Sequence, residues 1–294
     1  MTRLRGPLIA AAVPLLLISA CAQPAADGAG LPAPGTPESS SASPQGGNDL
    51  VIRTEQFGGF VPPDRVVGAL PQVSVYADGR VITDGPVPAK YPGPALPNVQ
   101  VQTITPEQVR ELIRSSEAAG VRNGADLGRP NVADAPNTRI TVVTPQGTQS
   151  VTVAALHESR PQDPQLTPAQ RSAREKLAKY VSSLTSLQTS QANVAPYEAG
   201  SVAVLARPWV DPGGTDPKSP EKAWPGPALP GTYLNPAVKI GCVLVAGAEK
   251  DKVWAAAKEA TAITPWTAGG TKYSVTFRPL LPDEAGCAEL KGKG

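Results

Sequence analysis

One histidine, His157, is all this 294-residue chain contains. A metal site built on several imidazoles is therefore excluded, and a Ser–His–Asp relay would have to use that single ring. No Gly-x-Ser-x-Gly turn supplies a nucleophile for it. His157 lies in Ala155-Leu156-His157-Glu158-Ser159, where a predicted strand runs into a polar loop, the usual place for a surface histidine. Neither a phosphate-binding Gly-x-x-x-x-Gly-Lys loop nor a Gly-x-Gly-x-x-Gly turn occurs, so the common nucleotide folds have no foothold. Aromatic residues make up only 4% of the chain, which leaves Val, Leu, Ile and Ala to build its core. Apart from Cys21, the two cysteines Cys242 and Cys287 are too few for a thiolate zinc site, and no metal or other cofactor is expected.

What is present begins at the N-terminus. Met1–Gly6 carries Arg3 and Arg5 with no acid, Leu8–Ala20 is apolar, and Ile18-Ser19-Ala20-Cys21 closes the run. A basic head, a short apolar stretch and small residues before a cut site make a secretory signal over residues 1–20. At about thirteen residues the run is shorter than the ~20 a spanning helix needs. The pattern resembles the bacterial lipobox. That resemblance implies diacylglycerol on the Cys21 thiol, cleavage just before it, and a chain held on the extracytoplasmic face of the cell membrane. One buried acyl chain anchors only marginally and two or more anchor stably.

Cleavage there changes the charge balance. Of 27 Lys and Arg, the leader removes Arg3 and Arg5, leaving 25 against 25 Asp and Glu. A formally neutral mature chain has no net field to draw it to nucleic acid. With Cys21 given to lipid, Cys242 and Cys287 remain as an even pair in an oxidising compartment, which predicts a disulfide. Cys242 sits in Val238-Lys239-Ile240-Gly241-Cys242-Val243-Leu244, whose alternation puts it on the buried face of a strand.

Residues 21–49 hold Pro, Gly, Ser and Ala with almost no bulky apolar residue, the composition of a disordered tether. Its 28 residues after Cys21 would reach about 30 Å, from ~5–6 Å × √n. Over the whole chain, 34 prolines and 28 glycines imply short elements and many loops. Residues 50–190 read as an antiparallel sheet with packed helices. Asp78-Gly79 and Pro145-Gln146-Gly147 supply hairpin turns. Thr105-Pro106-Glu107-Gln108 and Thr167-Pro168-Ala169-Gln170 have capping-box spacing with Pro at the first helical position. Residues 191–294 read as a second half, with strands over Ser201–Trp209, Val238–Ala246 and Thr271–Leu281 and a helix over Glu249–Thr261. The fold class is α+β, antiparallel sheets with about three packed helices.

Tyr91-Pro92-Gly93-Pro94-Ala95-Leu96-Pro97 recurs as Trp224-Pro225-Gly226-Pro227-Ala228-Leu229-Pro230. Both copies follow a strand and precede a strand, a helix and a further strand, an order that suggests two pseudo-repeated β-β-α-β halves. Three prolines make the segment rigid. It serves either as a brace pinned to a core or as an exposed loop presenting Tyr91 or Trp224 to a protein or glycan.

Other candidate chemistry is confined to carboxylate pairs. Asp283/Glu284 and Glu111/Glu117 are the pairs a glycosidase would draw on. Asp283 and Glu284 follow Arg278-Pro279-Leu280-Leu281-Pro282 and suit salt-bridged, capping roles equally, whereas Glu111 and Glu117 fall on the outer face of an amphipathic helix. All four tryptophans lie in the last third, and Trp254 falls off the Val253/Ala256/Ala257/Ala260 stripe of its helix, so it packs on another layer or is exposed. The tether and the Trp-Pro-Gly-Pro and Arg-Pro-Leu-Leu-Pro-Asp-Glu segments resemble those of secreted actinobacterial lipoproteins, a class that implies no activity and lends no catalytic residue. The expectation is a membrane-anchored protein that binds an envelope protein or cell-wall ligand, with a cell-wall or glycan hydrolase as the alternative.

Overall fold

Period-two alternation of Val and Ile builds most of the molecule. The computed structural model describes residues 48–190, 193–211 and 218–291. Cys21, the leader and all but the last two residues of the proposed tether lie outside them. Among the described residues the architecture is mixed α+β, with four helices and two sheets that are antiparallel except for one short parallel pair.

The first stretch runs β1 (Leu50–Phe57), α1 (Pro63–Gly68), β2 (Val73–Tyr76), β3 (Arg80–Asp84), β4 (Val99–Thr103), α2 (Pro106–Ala119), β5 (Asn137–Thr144), β6 (Gly147–Ala154), α3 (Pro168–Ser190) and β7 (Ala195–Pro196). Its seven strands pair in the order β6-β5-β1-β2-β3-β4-β7. Both predicted capping boxes form: Thr105 Oγ1 accepts from Gln108 N at 3.2 Å while Gln108 Oε1 accepts from Thr105 N at 2.8 Å, and Thr167 and Gln170 repeat the exchange. Gly120 ends α2 in the left-handed region, at φ 90°, which glycine enters without Cβ strain. One face of this sheet, with Ile52, Val73, Val75, Val81, Ile140 and Val153, packs against Leu177, Val181 and Leu184 of α3 and Val109 of α2.

The second stretch runs β8 (Ser201–Pro208), β9 (Lys222–Ala223), β10 (Thr232–Asn235), β11 (Ile240–Ala246), α4 (Gly247–Lys258), β12 (Trp266–Ala268) and β13 (Thr271–Pro279), then a 3-10 turn over Cys287–Leu290. Its strands order as β10-β11-β8-β13-β12-β9. Both faces of β8 are covered, so it reads Val-Ala-Val-Leu-Ala without a polar break. Val202, Val204 and Ala206 join Phe277, Trp266 and the α4 residues Val253 and Ala257. Ala203 and Leu205 face the other way, onto Val67 of α1, Ile240, Cys242 and Leu290. The Cys242–Cys287 disulfide forms there, with its Cα atoms 6.0 Å apart, and ties the terminal turn to β11.

Both copies of the Pro-Gly-Pro-Ala-Leu-Pro segment reach the same core, but by different routes. The first lies against the end of α4: Ala95 N donates to Ala260 O at 3.2 Å and Ala262 N to Gly93 O at 3.0 Å. The second leads into β10, the edge of the second sheet. The following strands also pair differently. β4 lies between β3 and β7, whereas β11 lies between β10 and β8. The repeated hexapeptide thus marks two props on one core and not equivalent places in two similar sheets.

Candidate functional site

Of the acids singled out in the sequence, Asp283 and Glu284 are found at the junction of the two sheets. Leu281 inserts beside Tyr76, Ile82 and Val99 on the face of the first sheet opposite α3. Just past it, Asp283 Oδ1 accepts from Arg53 Nη2 at 2.8 Å and from the Tyr76 hydroxyl at 2.7 Å. Arg53 Nε also donates to Ser74 Oγ at 3.1 Å. Burial raises the Asp283 carboxyl, but the Arg53 guanidinium and the Tyr76 phenol outweigh it and hold the group below the ordinary aspartate range. Burial first, and then the hydrogen bond to Asp283, pushes the Tyr76 phenol well above its usual value.

Arg278 is fully buried. Its Nη2 and Nη1 donate to Glu284 Oε1 and Oε2 at 2.8 and 2.9 Å, Nε reaches Ala69 O at 3.3 Å after α1, and Nη1 also meets Pro279 O. Glu284 Oε2 in turn caps Leu281 N at 2.8 Å. The two neighbouring carboxylates therefore point to different arginines. Asp283 is held ionised, the wrong state for a general acid, and Glu284 is occupied by a bidentate partner. Glu111 pairs with Arg114 at 2.6 Å on an exposed face of α2, and Glu117 is exposed on the same helix. His157 is exposed in the turn after β6.

Tyr91 and Trp224 take different environments. Tyr91 is exposed in its loop. Trp224 is half-buried, donates from Nε1 to Pro227 O at 2.6 Å, and meets Trp266 edge-on at 5.6 Å between ring centroids. That indole braces its own loop, and Gly226 beneath it has no room for a Cβ between Trp224 and Val253.

A cleft of about 510 Å³ opens where the first sheet's β4–β7 edge meets α4. One wall is Pro97–Val99 with Tyr197–Ala199, and the other is α4. Lys250, Trp254 and Lys258 recur every fourth residue and so share one helix face turned to the cleft. Trp254 rests its half-buried ring on the second core while still lining the cavity. Lys250 Nζ donates to Ala199 O at 2.9 Å and lies 3.7 Å from Asp251, so it fixes α4 against the opposite wall. Tyr197 is anchored through its hydroxyl to Leu280 O at 3.0 Å, and burial raises its pKa. Lys258 is exposed and forms no ion pair among the described residues. An aromatic face beside a solvent-facing ammonium suits a ring-bearing ligand with an acidic group.

The sequence signalled this cleft only through Trp254, which sits off the apolar stripe of its helix. Among the described residues no cluster of three or more His, Cys, Asp or Glu could hold a metal ion, and no helix is long and apolar enough to cross a membrane. No family model, curated protein or solved structure matches the chain.

Proposed function

We propose that the protein is an extracytoplasmic lipoprotein, anchored through acylated Cys21, whose folded part binds a cell-envelope ligand in the α4 cleft. The observation that carries the binding reading is the Lys250–Trp254–Lys258 stripe, which turns an aromatic ring and a free ammonium into a cavity large enough for an organic ligand. Binding is favoured over hydrolysis because Asp283 and Glu284 are each committed to an arginine. Cell-wall glycan fragments bearing a carboxylate are the first ligands to try, since a sugar ring stacks on an indole and the acid meets Lys258.

Titration of such fragments against the full chain, followed by tryptophan fluorescence, should saturate. Trp254→Ala and Lys258→Glu should each weaken binding about ten-fold, the scale of one aromatic or charged contact. Saturable binding untouched by either change would remove the cleft from the proposal. The anchor is tested separately: Cys21→Ser should move the protein from the membrane to the soluble fraction, and continued membrane attachment that needs detergent to break would refute acylation.

A further inference from the structure

A second cavity, of about 700 Å³, lies at the start of α3 and is built differently. Its apolar wall is Leu156, Leu166 and Ala178, and its polar groups include Arg160, Arg171 and Arg174. Arg174 is 4% exposed. Its Nη2 donates to Ala154 O at 2.6 Å, Ala155 O at 2.8 Å and Ser159 Oγ at 3.1 Å, and Nη1 reaches Leu127 O at 3.4 Å. The buried Nε has no hydrogen-bond partner among the described residues. Arg171, one helix turn earlier, donates from Nη1 to Asp163 O and Leu166 O. Arg160 is exposed at the rim.

None of these three arginines forms an ion pair with a carboxylate among the described residues. The acids nearby are otherwise placed. Glu175, which lines the cavity, pairs with Lys179 at 2.7 Å. Asp163 accepts from Asn131 N at 3.1 Å and Gln165 N at 2.9 Å, and Glu158 is exposed. Carbonyl dipoles solvate Arg174 but do not neutralise it, and the nearby Asp163 and Glu158 act on it through their fields without a direct ion pair among the described residues, an unfavourable state for a buried cation. Desolvation lowers the Arg174 pKa despite the fields of Asp163 and Glu158.

We propose that this cavity is a binding site for a phosphate group carried by an organic ligand. Three guanidinium groups lining one cavity, Arg160 at the rim, Arg171 half-buried and Arg174 buried behind them, match the two charges of a phosphate monoester better than the single charge of a carboxylate, and guanidinium forks suit phosphate oxygens. The volume exceeds what an inorganic ion fills, so the leucine wall takes the organic part. The site is separate from the α4 cleft, and none of its lining residues is shared with it.

The test uses the full chain produced without lipid. Glycerol phosphate and inorganic phosphate are titrated at constant ionic strength against acetate, with thermal shift and calorimetric readouts. Glycerol phosphate should bind saturably and more tightly than inorganic phosphate, with acetate weaker than both. Arg160→Glu should weaken it at least about five-fold, the effect of reversing one rim charge. Flotation with phosphatidic acid vesicles, whose headgroup is a phosphate monoester, lost in Arg160→Glu, would assign the phosphate to a lipid headgroup; glycerol phosphate binding without flotation would assign it to a free molecule. Arg174→Gln, if its circular dichroism matches the parent, should abolish binding; if it fails to fold, Arg160→Glu alone decides. Absence of saturation, acetate binding as tight as phosphate, or binding unchanged in Arg160→Glu would overturn the proposal.

Discussion

Replacing Asp283 by Ala should loosen the junction between the sheets by about 2–3 kcal/mol. The carboxylate accepts a charged hydrogen bond from Arg53 and a second from Tyr76, and bonds to charged groups contribute about 1.5–3 kcal/mol each. Removal leaves the Arg53 side chain, 11% exposed, with Ser74 as its main partner. Breaking a fully buried pair costs about 3–5 kcal/mol. Here the Asp283 side chain keeps 22% of its area in water, which discounts the effect towards the lower figure. Asp283→Asn keeps an acceptor and loses the charge, so it should cost about half as much.

The pH dependence has a fixed sign. Asp283 has a folded pKa below its unfolded value, so its contribution is complete above the unfolded pKa, near 4, and fades as pH falls through the folded one. Urea unfolding followed by tryptophan fluorescence, at pH 7 and across pH 5 to 2.5, measures both effects. The gap between parent and Asp283→Asn should hold from pH 7 to 5 and close below 4. A gap under about 0.5 kcal/mol at pH 7, or one that does not narrow in acid, would refute the account. A double-mutant cycle with Arg53→Met isolates the pair term.

Further consequences follow from the covalent and backbone constraints. The disulfide closes a 45-residue separation, for which chain entropy alone gives about 4 kcal/mol as an upper figure. Cys242→Ala with Cys287→Ala, or thiol reduction, should lower the urea midpoint by an equivalent of about 2–4 kcal/mol. Gly241 in β11 faces the Pro230 backbone with no space for a Cβ, so Gly241→Ala should destabilise by about 1–3 kcal/mol in the same assay. Thr105→Ala removes the cap of α2 and should cost about 1 kcal/mol, measurable as a lower thermal midpoint.

What the sequence made legible was whatever depends on neighbours along the chain. The turns at Asp78-Gly79 and Pro145-Gln146-Gly147 announced hairpins, Thr105-Gln108 and Thr167-Gln170 announced helix starts, and the cysteine count announced the bridge. Arg278 and Glu284, six residues apart, were near enough to suspect as a pair. The Arg53–Asp283 pair spans 230 residues and leaves no local trace. Helix α1 escaped notice because six residues give no periodicity, and β9 and β12, of two and three residues, exist only because neighbouring strands hold them. For Trp224 the sequence left bracing and display both open, and Trp266 and Phe277, distant in sequence, decide for bracing by giving the indole a core to lean on.

The same distant contacts decide how the walls of the cleft are held. One wall of the α4 cavity comes from β4, β7 and the residues after them, and the other from α4, so its width depends on how the two sheets are held together. Pro279 touches both arrangements: it lines the cleft and follows the buried Arg278 that Glu284 locks in place. Tyr197, another lining residue, bonds to Leu280 of the same terminal segment. Asp283, three residues further on, fastens that segment to β1 and β2. The carboxylates that look like catalytic acids in the sequence thus act on the cleft from behind, as fasteners. Asp283→Ala should therefore weaken ligand binding in the cleft although its side chain lines no part of it, and the loss should disappear when the halves are held by a new covalent link. If cleft affinity in the folded Asp283→Ala protein equals the parent's, the junction sets stability alone and the cleft is shaped by Lys250 and Tyr197 without it.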